Sequence, residues 1–151
     1  MGGFVWTGSK AEDGGHRAFG LLTFDQYNQN EALALSYSDA SGKRSAGLAV
    51  MDQPNTSIQP VMDSLMAIQQ LPESEKARRL REIREKLERE GQAGARRLFA
   101  GRDQSNSALV VLSDPKGRPR LRLTVDSVGT PKLEFLDENG KATHKLPPDA
   151  R

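Results

Sequence analysis

Arg118, Arg120 and Arg122 occupy every second position of one short stretch, the spacing that brings side chains to one face of a β-strand. Three guanidiniums side by side would bind an anion, or the phosphates of a nucleic acid, through charge-assisted hydrogen bonds. They are the candidate anion-binding residues. The same alternation also describes the wetted side of a sheet, and no aromatic residue is interleaved to stack on a base. A second basic group, Arg78, Arg79, Arg81, Arg84 and Arg89, sits among six glutamates and seven Lys and Arg between positions 73 and 90, so its field nearly cancels. Nucleic acid is not the expected partner.

No other residues assemble a reaction centre. His16 and His144 have no ligand-spaced neighbours and read as surface residues rather than general bases. Ser113-Asp-Pro-Lys116 matches the Ser-x-x-Lys of penicillin-recognising enzymes, but it falls in a turn and its companion motifs are missing. Gly42-Lys43-Arg44 lacks the rest of a phosphate loop. With no cysteine there is no thiolate chemistry and no cysteine-based metal site. The recurring aspartates raise calcium, yet one carboxylate per turn does not gather the roughly six to eight oxygens that ion needs. The expectation is a protein that is not an enzyme and that carries no cofactor and no metal.

What those aspartates do supply is turns. Seven of the ten are followed three residues later by Gly or Asn: Asp25/Asn28, Asp39/Gly42, Asp52/Asn55, Asp103/Asn106, Asp114/Gly117, Asp126/Gly129 and Asp137/Gly140. Aspartate opening a type I turn bonds the backbone two residues on, and the fourth position turns left-handed, which Gly and Asn tolerate. That is the three-residue hairpin loop with a bulge. The intervals between successive pairs hold one loop and one strand each, the cadence of a β-meander.

Loops at 104–106, 115–117 and 127–129 would align Phe99, Val111, Leu121 and Phe135 on one face, with Leu109 opposite Leu123 and Arg122 opposite Glu134. The other face is then mixed, with the three arginines beside Leu98, Val110, Leu112 and Leu136; Leu98, Leu112 and Leu136 are the candidate interface. In the N-terminal part Phe19, Leu21, Leu33 and Leu35 share a face, with Ala32, Ala34, Leu48 and Val50 on the other. This half is expected to be buried on both sides or to lie mid-sheet. Asp52-Gln-Pro-Asn55 leads instead into a helix.

From Ser57 to Leu71 the residues Ile58, Val61, Met62, Leu65, Ile68 and Leu71 recur at helical spacing, with Pro60 in the first turn. Pro72 opens a second helix over 73–90, a charged rod with the stripe Ala77, Leu80, Ile83 and Leu87, which Gly91 and Gly94 stop.

The stretch Ser113-Asp-Pro-Lys-Gly-Arg-Pro-Arg-Leu-Arg-Leu-Thr-Val-Asp-Ser-Val-Gly-Thr-Pro-Lys-Leu-Glu-Phe-Leu-Asp-Glu-Asn-Gly-Lys141 resembles a loose group of bacterial β-hairpin-repeat proteins built on Asp-x-x-Gly-Lys/Arg. The resemblance implies an architecture and no catalytic residue; members have no assigned activity and often carry an N-terminal membrane anchor. Here the longest apolar run near the N-terminus, Phe4-Val5-Trp6, is far short of the ~18 residues a spanning helix needs. The chain as written is expected to be soluble, and exported or tethered only if an anchor preceded Met1. Net charge is +2, from 22 Lys+Arg against 20 Asp+Glu, too balanced to imply a polyanion.

These readings give one α+β domain over 1–151, with an N-terminal β-meander (1–54), a helical pair (55–94) and a C-terminal β-meander (95–147). A domain this long is expected to bury roughly 70% of its unfolded surface. The functional expectation is a structural or protein-interaction module that forms a homo-oligomer through its sheet edges or its mixed face. Anion binding through Arg118, Arg120 and Arg122 is the alternative.

Overall fold

A computed structural model describes residues 2–10 and 14–148. Among these described residues nine strands run antiparallel in chain order: β1 (Gly2–Lys10), β2 (His16–Asp25), β3 (Glu31–Ala40), β4 (Lys43–Asp52), β5 (Ala95–Arg102), β6 (Ala108–Ser113), β7 (Pro119–Val125), β8 (Pro131–Leu136) and β9 (Ala142–Leu146). Two helices, α1 (Gln59–Gln69) and α2 (Glu73–Arg89), lie between β4 and β5.

The last four hairpins are closed by the aspartate signature. Asp103, Asp114, Asp126 and Asp137 each donate their N–H to the carbonyl four residues on and accept at their own carbonyl the N–H three residues on. Each carboxylate also accepts the N–H groups two and four residues on. The fourth positions, Asn106, Gly117, Gly129 and Gly140, have φ between 67° and 90°. The N-terminal signatures act differently. Ser41 and Gly42, both with positive φ, make a two-residue turn between Ala40 and Lys43, the β2–β3 loop closes at Gln26 and Asn30 rather than at Asp25, and Asp52 ends β4 without turning.

The expected two meanders flanking a helical pair are not what forms. The strands make one continuous sheet, because β4 pairs directly with β5 from Ala46↔Arg102 to Asp52↔Ala95. Gly47 lies opposite Gly101 at this joint, and the Phe99 ring fills the space above Gly47. A Cβ on Gly101 would meet the Ala46 carbonyl oxygen at 2.1 Å, so only glycine admits this approach. The insertion therefore leaves the sheet and returns to it without interrupting the ladder.

α1 and α2 pack on each other and neither lies across the sheet. Pro60 sits in the first turn of α1, and the Gln59 N–H donates to Ser57 Oγ at 3.1 Å. Gly91 ends α2 with φ 63°, and the Gln92 N–H reaches back to the Leu87 carbonyl at 2.8 Å. On α2 the carboxylate that gathers charge is Glu82, held by Arg79 at 2.9 Å and Arg78 at 2.8 Å. The Arg79 and Arg78 guanidiniums outweigh its partial burial and lower its pKa. The hairpin is tethered at one end of the sheet, where the Ile58 N–H donates to the Asn28 carbonyl and Gln26 Nε2 to the Pro54 carbonyl. Among the described residues no helix is long and apolar enough to cross a membrane.

Bulges set the register. Ser113 faces Pro119 but Leu112 faces Leu121, leaving Arg120 as an extra residue. One added residue reverses every side chain beyond it. Phe99 still faces Val111 and Leu121 still faces Phe135, but Val111 faces Arg122 and Leu109 faces Thr124. The expected single row of Phe99, Val111, Leu121 and Phe135 thus splits between the two faces. A second bulge, between Phe24 and Asp25, likewise moves Phe19 and Leu21 to the face opposite Leu33 and Leu35.

Candidate functional site

With the bulges in place one face of the sheet is apolar from edge to edge. Successive cross-strand partners read Phe4, Leu22, Leu35, Leu48, Ala100, Val110, Leu123, Leu133 and Leu146, one from every strand. A neighbouring row reads Phe24, Leu33, Val50, Leu98, Leu112, Leu121, Phe135 and His144. Trp6 and Tyr37 flank Gly20 in a third. Isolated exposed apolar residues are ordinary, but a contiguous patch of this extent on one face is not.

Nothing in the described chain covers this face. Trp6 is 72% exposed, and Phe24, Leu35, Leu123, Phe135 and Leu146 are all exposed. The only buried apolar residues among those described are Ile68, on a helix, and Leu136. The accessible surface is 10988 Å², against roughly 7,600 Å² for a compact monomer of this mass. Relative to an unfolded chain of about 24,000 Å², little more than half is buried. That falls short of the ~70% expected for this length, because a single layer gives each side chain no opposing layer to pack against.

The candidate interface residues divide. Leu98 and Leu112 face each other on the apolar side, where Leu112 is exposed. Leu136 alternates to the other side and is only 5% exposed, so it is already occupied within the chain. The three arginines do not converge either. Arg118 Nε donates to Asp114 at 2.8 Å and its Nη1 lies 3.3 Å from Glu138. Arg120 lines an open groove together with Phe135 and Leu146. Arg122 is on the opposite side, its Nε and Nη2 at 2.8 and 2.7 Å from Glu134 Oε2. Among the described residues no cluster of His, Asp and Glu could hold a metal ion.

The Arg122–Glu134 pair carries a stability consequence. Glu134 is 8% exposed, and Arg122 is its ion-pair partner. Arg122→Ala would strand the carboxylate, at a cost of about 2 kcal/mol, below the usual range for buried pairs because the arginine is partly in water. Urea unfolding should show that loss, and a double Arg122→Leu, Glu134→Leu variant should recover much of it.

A second polar cluster closes the β2–β4 end of the apolar face; in the sequence Asp39 and Gly42 read only as a turn, and His16 lies 23 residues before Asp39. Asp39, 6% exposed, accepts from Arg44 Nε at 2.8 Å, the Gly42 N–H at 2.8 Å and His16 Nε2 at 3.2 Å. The Arg44 guanidinium, then the Gly42 N–H, hold its carboxyl far below the usual carboxylate range. A carboxylate with a depressed folded-state pKa stabilises fully above its unfolded pKa, about 4, and loses that contribution as pH falls toward the folded value. Asp39→Asn should therefore lower Tm at neutral pH, and the gap from wild type should narrow as pH falls below about 4.

Comparison with protein-family models, curated proteins and solved structures gave no match.

Proposed function

We propose that this chain is a non-catalytic structural module that self-associates, the apolar face of one copy covered by that of another. One observation carries the reading: a nine-strand row of apolar side chains with no layer of the described residues over it. Nine strands at ~4.8 Å spacing and ~3.3 Å per residue make a face on the order of 1,000 Å². Two such faces stacked would bury roughly 2,000 Å², above the ~1,600 Å² of a standard stable interface. Sheets stacked in this way form the two-layer core that stable β-proteins have.

Light scattering at micromolar concentration should return at least two copies of 16.6 kDa. A mass of one copy throughout that range overturns the proposal.

A further inference from the structure

The two edges of the sheet are built differently. β1 forms one edge and β9 the other, and each leaves a row of backbone N–H and C=O groups without a strand partner among the described residues. β9 is guarded: it has five residues, a bulge opposite Leu136, His144 and Lys145 within it, and Pro147 and Pro148 directly after it. β1 is not. It has nine residues, all exposed, no proline, an unbroken register against β2, and a single charge at its end, Lys10.

An unguarded edge takes another strand. Pairing β1 with β9 of the next copy would propagate into a ring or a fibre, and the guards on β9 oppose it. Pairing β1 with β1 closes at two copies. We propose that β1 is a docking edge for β1 of a second copy, antiparallel and centred on Trp6.

The sequence of β1 suits that register. Trp6 falls opposite its own copy, Val5 opposite Thr7, and Phe4 opposite Gly8, an aromatic ring set over a glycine as Phe99 is over Gly47. A two-fold axis normal to the sheet keeps Phe4 and Trp6 on the same side in both copies, so the apolar face continues across the seam. This edge contact is separate from the stacking of faces, and either can exist without the other.

Amide hydrogen exchange on the wild-type protein, read residue by residue, tests it. In an antiparallel pair alternate residues direct their N–H groups to opposite sides. A paired β1 should protect every amide in its central part; protection of alternate amides alone means a free edge and overturns the proposal. The cysteine-free chain allows a second readout. Opposed residues of antiparallel strands are ~4.5–5.5 Å apart, within disulfide reach. Trp6→Cys should form disulfide-linked dimers under mild oxidation, as should a mixture of Phe4→Cys with Gly8→Cys, whereas Phe4→Cys alone should not. Equal cross-linking of all three overturns the Trp6-centred register. A protein that keeps a mass of two copies while its β1 amides exchange alternately retains the stacked faces and loses the edge contact, which separates the two readings.

Discussion

Placing lysine at both Leu35 and Leu123 should separate the stacked faces and lower the mass of the assembly, to two copies where β1 edges pair and to single copies of 16.6 kDa where they do not. Both residues lie in the nine-strand apolar row, on β3 and β7, and both are exposed in the lone sheet. In a lone sheet a lysine at either place extends its charge into water, and the change costs little. Between two stacked faces the same ammonium is desolvated without a partner. The penalty is then about 3 kcal/mol for each, or more than a hundredfold in Kd. Light scattering on this variant and on a control with lysine at Thr124, which lies on the other face, gives the comparison. Dissociation confined to the Leu35, Leu123 variant is the expected result; equal masses for both variants would contradict the stacked faces.

The second large effect concerns the four C-terminal turns. Alanine at Asp103, Asp114, Asp126 and Asp137 together removes the acceptor for two backbone N–H groups in every hairpin from β5 to β9. Hydrogen bonds from those N–H groups and the nearby side chains lower the pKa of Asp103, led by Ser105, and of Asp126, led by Thr130. At Asp114 partial burial raises the pKa, and the Arg118 N–H and guanidinium outweigh it. The four sites are separate hairpins, so their losses should accumulate. Each single variant should fold with a lowered Tm, each added substitution should lower it further, and the fourfold variant should be unfolded at neutral pH by far-UV circular dichroism. A fourfold variant with the wild-type Tm would mean that the strands, not the carboxylates, define the turns.

These turns were legible because their information is local. An aspartate and a glycine three residues apart specify where the chain reverses, and the pairs Leu121↔Phe135 and Arg122↔Glu134 follow from loop length alone. The split of the expected core row was not legible, because nothing around Arg120 marks it as an extra residue. The joining of β4 to β5 was hidden for a different reason. Gly47 and Gly101 carry no pattern of their own, and their meaning appears only when the two strands approach. Leu98, Leu112 and Leu136 read from the sequence as one candidate interface on a mixed face, because without the bulges that face includes Arg122 and Glu134. Once Arg122 and Glu134 move to the other side, what remains on this one is almost wholly apolar. The arginines at 118, 120 and 122 looked like one cluster for the same reason, and the bulge at Arg120 separates them.

On the proposed self-association, a second copy supplies the hydrophobic core that this single layer lacks. If it does, unfolding is coupled to dissociation, and the thermal midpoint must depend on protein concentration. The decisive measurement is Tm across a hundredfold range of protein concentration: Tm should rise steadily with concentration, and a Tm that stays constant over the whole range would contradict the self-association.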